Sequence, residues 1–195
     1  MPPYQQTYEE TFEIEEDTLE RDVNILNQIS RYRYDFQPVD ILSLQYEGAD
    51  FIGVLRDDAL NPEEVIYVDR KTSKKKKREW FHFELYYKNE NGTKKESWSL
   101  KAPYRDLEKF LIAFMDENQV VTMSKKNMIE IVKELEKERP DLIKVKVEKN
   151  KKGKNVDKYL IRLNKAHRNF KRMKPRIYEI DDKNEFVLTE DYSKY

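Results

Sequence analysis

The chain of 195 residues has no cysteine, two histidines and only four glycines. Without cysteine there are no disulfides and no thiolate metal sites, which leaves oxygen donors and the two histidines as ligands for any metal. His82 and His167 fall into no His-Glu-x-x-His or similar spacing, so a zinc site has no support. His82 lies among aromatic residues, where a surface or partly buried side chain is expected, and His167 lies in a basic segment. The glycines form no phosphate-cradling loop, which disfavours nucleotide hydrolysis. No apolar run reaches the length that spans a membrane. The first twenty residues are acidic and lack the apolar stretch of a signal peptide. The expectation is a soluble intracellular, cytoplasmic protein, whether of a cell or of a virus or mobile element inside one.

Charge is abundant and balanced, with 38 basic and 38 acidic residues, but the balance conceals a segregation. From Lys144 to Arg176 there are 14 Lys or Arg and two acids, a net of +12. Residues 1–22 carry eight acids against Arg21 alone, and the short stretch from Arg70 to Arg78 holds seven bases. Separation of this kind can build a positive face that attracts phosphates even when the net charge is zero. A lysine run is more commonly a solvated loop.

Helical spacing of Leu19, Val23, Leu26 and Ile29 after Asp17-Thr18 predicts a helix with Asp17 as N-cap. A first strand is expected over 39–46, a second over 51–55 and a third from Val65 to Val68 and beyond, the last two joined through a linker rich in turn formers. Residues 80–87 and 93–100 read as a hairpin across Asn91-Gly92. The spacing of Leu107, Phe110, Leu111, Phe114 and Met115 predicts a helix over 104–117, followed by a strand over 119–123. Ser124 then caps a helix to about residue 138, with Met128, Ile131, Val132 and Leu135 inward. A hairpin is expected from 143–149 and 156–163, a short basic helix over 166–173, and edge strands over 176–180 and 186–188. This gives an acidic arm (1–15), a core (16–123) and a basic α+β extension with an acidic tail (124–195). Tyr32, Tyr34 and Tyr86 could serve as base-stacking platforms, although core packing accounts for most of the aromatic content.

The chemistry concentrates at the strand ends. Asp50 begins the second strand and Asp69 ends the third, with Lys71 two residues on. Side chains at i and i+2 share a face of a strand, so Asp69 and Lys71 project together. If the two strands pair, Asp50 joins them, and two carboxylates with one ammonium could hold a hard divalent cation beside an attacked phosphate. One other acid-x-lysine triplet, Asp181-Asp182-Lys183, sits in a polar turn with no carboxylate-bearing strand before it.

Asp50, an intervening turn, and then Asp69-Arg70-Lys71 resemble the active-site hairpin of the PD-(D/E)XK nuclease superfamily, which includes restriction enzymes and archaeal-type Holliday junction resolvases. The resemblance covers about residues 16–123. It departs from the family pattern at Ala49, where proline is usual, and at Asp69, where glutamate is commoner. It implies an α/β (α+β) fold with an α-β-β-β-α-β core around a mixed sheet, to which this chain adds a hairpin and a C-terminal extension. It implies Mg²⁺ or Mn²⁺ held by Asp50, Asp69 and the main-chain carbonyl of Arg70, Lys71 orienting or deprotonating the attacking water, and an acid from the first helix, Glu20 before Glu16. The implied activity is metal-dependent hydrolysis of DNA phosphodiester bonds, often by a homodimer. Lys74, Lys75, Lys76, Lys77 and Arg78, with Lys151, Lys152 and Lys154, would hold the DNA backbone. The competing expectations are a nucleic-acid-binding protein without catalysis and a protein-interaction or inhibitor module.

Overall fold

The structure is a computed structural model and describes residues 18–31, 33–40, 45, 48–56, 65–88, 91–97, 100, 107–149 and 155–194. The apolar stripe that opens the chain's periodic region forms helix α1 (Leu19–Ile29), which buries Ile25 and Leu26. Its N-cap position is Thr18; Asp17 lies outside the described residues. Three antiparallel strands follow, β1 (Tyr34–Pro38), β2 (Phe51–Leu55) and β3 (Val65–Thr72). A hairpin of β4 (Trp80–Lys88) and β5 (Lys94–Glu96) comes next, and then β6 (Phe110–Met115) and β7 (Gln119–Ser124). Helix α2 (Lys125–Glu138) leads to β8 (Ile143–Lys149) and β9 (Asn155–Asn164); α3 (Arg168–Arg172), β10 (Arg176–Ile180) and β11 (Phe186–Asp191) complete the chain.

The protein is a mixed α+β fold built on two sheets. The larger has seven strands in the order β1-β2-β3-β6-β7-β10-β11; all its pairings are antiparallel except β3 with β6. The smaller runs β5-β4-β9-β8. Both sheets draw strands from either side of residue 124, so the C-terminal third is woven into the same layers as the first two-thirds. On one face of the large sheet α1 packs Ile25 and Leu26 with Phe36, Phe51, Val68 and Met115. On the other face the small sheet and α2 enclose the main core, where Phe81 stacks on Phe170 (4.4 Å) and meets Phe114 edge-on (5.1 Å). Gly53 lies opposite Phe36, and a Cβ there would come within 2.6 Å of that ring, so only glycine allows the two strands to sit so closely.

Three expectations are corrected. The helix over 104–117 is absent from its described part: residues 107–109 form one 3-10 turn and Phe110–Met115 is the strand β6. Its run of apolar residues fits helical spacing, but five of the six are buried because β6 is an interior strand covered on both faces, where the two-residue alternation disappears. The first described strand is Tyr34–Pro38; of the strand expected over 39–46, Val39 and Asp40 belong to no element and Gln45 is helical, while residues 41–44 and 46 lie outside the described residues. Residues 176–180 are not at an edge, because β10 pairs with both β7 and β11. Helix α2 matches its expectation closely: the Ser124 hydroxyl accepts from the Asn127 N–H at 3.5 Å, and Met128, Ile131, Val132 and Leu135 are buried. Among the described residues no helix is long and apolar enough to cross a membrane.

Candidate functional site

Alternation along β3 divides its side chains between two environments. Val68 and Arg70 face α1, where the Arg70 guanidinium lies 3.1 Å from the fully buried carboxylate of Asp22 and 5.3 Å from the Phe51 ring centre. Tyr67, Asp69 and Lys71 face the opposite layer, and Tyr67 stacks on Phe110 of the parallel neighbour at 4.8 Å. The i, i+2 relation therefore brings Asp69 and Lys71 together, and the Lys71 ammonium donates to Asp69 Oδ1.

Asp50 joins them by leaving the regular ladder. Its N–H donates to the Val68 carbonyl at 2.8 Å, and its carboxylate Oδ2 accepts the Arg70 N–H at 2.5 Å. A side-chain oxygen thus takes the place that a backbone carbonyl of β2 would fill, which fixes the carboxylate at the end of the strand pair. The carbonyl of Arg70 leaves the strand on the same side as its N–H, toward Asp50.

The fourth member is Lys125, the first residue of α2. Its ammonium lies 3.2 Å from Asp69 Oδ2 and its side chain has no solvent exposure. Gly48, at φ +83°, closes the wall: a Cβ there would lie 3.1 Å from Lys125 Nζ and 3.7 Å from Asp69 Oδ2. Asp69 is buried between the two lysines, while Asp50 and Lys71 reach solvent and form the mouth of the recess.

The electrostatics follow from crowding. Protein packed around Asp50, together with the neighbouring Asp69 charge, outweighs Lys71 and the Arg70 N–H and pushes the Asp50 carboxyl up to about 6, even though its outer side meets solvent. Partial burial disfavours the charge on Lys71, but the carboxylates of Asp69 and Asp50 prevail and hold it above its ordinary value. Lys71 is therefore an ammonium at neutral pH, suited to stabilising anionic charge and unsuited to removing a proton.

The remaining sequence-selected residues disperse. Glu20 is exposed on α1; the acid of that helix that reaches β3 is Asp22, on the face away from Asp69. Glu16, Lys151, Lys152 and Lys154 lie outside the described residues. Lys74, Lys75 and Lys76 are exposed and make no ion pair among the described residues. Lys77 pairs with Glu179 at 2.9 Å. Arg78 is a structural cation: its guanidinium grips the buried Asp116 at 2.5 to 3.0 Å and lies 5.1 Å from the Phe114 ring centre. Tyr86 stacks on Tyr159 at 4.5 Å, and Tyr32 lies outside the described residues. His82 is exposed, and desolvation together with Arg162 across the sheet keeps its pKa below the ordinary value.

Lys125 escaped the sequence reading, although a signal was present. It stands three, four and seven residues before Met128, Ile129 and Val132, in phase with the buried stripe of α2, where a lysine needs a partner.

No family model, no curated protein and no solved structure matches this chain.

The donor set suits a hard cation better than a soft one. Among the described residues no three His, Cys, Asp or Glu side chains cluster as a metal site. Asp50 and Asp69, with the Arg70 carbonyl, are the oxygen donors that could hold an ion such as Mg²⁺, which takes one or two carboxylates and keeps several waters. Asp69 could offer Oδ1 once the half-exposed Lys71 swings outward, with Oδ2 still held by Lys125.

Proposed function

We propose that this protein is a Mg²⁺- or Mn²⁺-dependent phosphodiesterase acting on DNA, and a divergent relative of the PD-(D/E)XK nucleases. The observation that carries the proposal is the convergence of Asp50, Asp69 and Lys71 at one strand-pair end, where burial first, and the Asp69 charge after it, raise the Asp50 carboxyl to about 6. Two carboxylates held close together at one point are a pair that a divalent cation stabilises. Asp50, Asp69 and the Arg70 carbonyl would hold the ion, which when bound lowers the pKa of a coordinated water. Lys71 would orient the scissile phosphate and offset the charge that develops on its oxygens. Lys74, Lys75 and Lys76, directly after β3, would position the backbone without reading sequence. Two structural departures from the family pattern accompany the proposal, beside those at Ala49 and Asp69. A hairpin and a 3-10 turn lead into β6 where a helix would be expected, and Glu20 belongs to a helix on the other face of the sheet.

One observation favours a second reading. Both oxygens of Asp69 already face ammonium groups, so two acids and two lysines make a locally neutral network that could be purely structural. In that case the exposed lysines would bind nucleic acid without cleaving it.

Incubation with supercoiled, linear and branched DNA separates these readings. Cleavage that requires Mg²⁺ or Mn²⁺ and disappears in Asp50→Ala and Lys71→Ala, with DNA binding retained, is the expected result. Binding with steep salt dependence and no cleavage under any metal would establish the second reading. Neither binding nor cleavage would leave the protein-interaction module.

A further inference from the structure

A second site lies on the opposite side of α2 from Lys125. A cleft of about 760 Å³ runs between α2, the α3–β10 bend and the C-terminal segment. From the structure we infer that this cleft binds a nucleoside phosphate, either free or as one unit of a single strand. It stands apart from the β2–β3 recess and does not depend on the activity proposed there.

Charge supplies the first argument. Four cations, Arg168, Lys171, Arg172 and Lys174, line the cleft against one acid, Glu130. Arg172 is committed to a forked pair with Glu134 at 2.6 and 2.8 Å, which pins α3 to α2. Arg168, Lys171 and Lys174 are exposed and make no ion pair among the described residues. Three unneutralised cations around one concavity favour an anion with several oxygens. Lys174 owes its place to a backbone bend, with φ +56° directly after the buried Met173.

The rest of the lining argues for more than a bare anion. The Tyr192 ring lies 5.2 Å from the Lys171 ammonium; the residue is held by its backbone N–H, which donates to the Pro175 carbonyl at 3.0 Å, and by its hydroxyl, which donates to Glu190 at 2.5 Å. The ring packs on the main core and borders the cleft beside Ile131, so a base that displaces the Lys171 ammonium from it can stack there while that ammonium turns to the phosphate. Asn127 and Glu130 add a donor and acceptors suited to exocyclic amines or sugar hydroxyls. The volume falls within the range of small-molecule pockets.

Calorimetric titration tests this in low salt with EDTA, using three probes: inorganic phosphate, adenosine 5′-monophosphate and a short oligodeoxyadenylate strand. The monophosphate and the strand should both bind. Arg168→Ala combined with Lys171→Ala should weaken them about tenfold or more, and Tyr192→Leu should weaken them about fivefold or more while leaving phosphate unchanged. Lys71→Ala should bind as the unaltered protein does. All the substituted side chains reach solvent, and circular dichroism melting verifies that each variant is folded. Preference for the strand over the monophosphate, measured in a variant with alanine at Lys74, Lys75 and Lys76 so that the lysines after β3 do not contribute, would assign the cleft to nucleic acid, and the reverse to a free nucleotide. Absence of binding, equal binding of bare phosphate, or binding lost in Lys71→Ala but kept in the Arg168/Lys171 variant would each overturn the inference.

Discussion

Removing the Asp69 carboxylate should destabilise the fold severely, because the buried Lys125 would lose its ion-pair partner. The Lys125 side chain is fully enclosed, with its ammonium 3.2 Å from Asp69. Breaking a buried ion pair from one side costs about 3–5 kcal/mol, since the orphaned charge cannot recover its hydration. In a chain of this size each kcal/mol lowers the melting temperature by about 2–4 °C, so Asp69→Ala should melt about 6–20 °C lower. Lys71 adds little to the loss, as its side chain is nearly half exposed and can turn to water. The decisive comparison is the double variant Asp69→Ala/Lys125→Met, in which the orphaned charge is replaced by an apolar chain of similar length. Most of the lost stability should return, because replacing a buried pair by apolar groups is often neutral or better. Urea and thermal unfolding followed by circular dichroism measure both steps. A loss below about 1 kcal/mol in the single variant, or no recovery in the double, would show that Lys125 is not a buried partner of Asp69.

Two further outcomes follow from the geometry. Asp50 titrates near 6 in the folded protein against an ordinary value of 3.8, so its protonated form favours folding; that contribution is complete below about 3.8 and is lost as pH rises to about 6. The unaltered protein should therefore lose stability relative to Asp50→Asn between those limits, and a pH-independent difference in urea unfolding would refute the raised value. Arg78→Ala should cost about 3–5 kcal/mol by orphaning the buried Asp116, whereas alanine at Lys74, Lys75 and Lys76 together should leave stability within about 1 kcal/mol and flatten the salt dependence of DNA binding. Equal melting of the two variants would contradict that division of the basic run.

Local rules made much of this molecule readable. The α2 cap at Ser124, the Asn-Gly hairpin and the alternation that sets Asp69 beside Lys71 each depend on residues close in sequence, and each is present. What could not be read depended on partners far along the chain. Phe110–Met115 carries a pattern compatible with helix or interior strand, and its pairing with β3 and β7 decides between them. Arg78 read as a phosphate ligand because nothing nearby in sequence reveals Asp116, 38 residues away, as its partner. Lys125 is 56 residues from Asp69, so the fourth member of the recess emerged only when α2 was placed against β3. Asp22 shows the same effect on the other face, where it meets Arg70 across 48 residues while Glu20 on the same helix faces solvent.

The most direct test of the central claim is calorimetric titration of Mn²⁺ into the unaltered protein, Asp50→Asn and Asp69→Asn near pH 7.5, where Asp50 is ionised. One saturable ion per chain, lost in both variants and weakening below about pH 6, is the result expected of two acids sharing a cation. Absence of saturable binding, or binding that survives both substitutions, would contradict a metal site at the end of the β2–β3 pair.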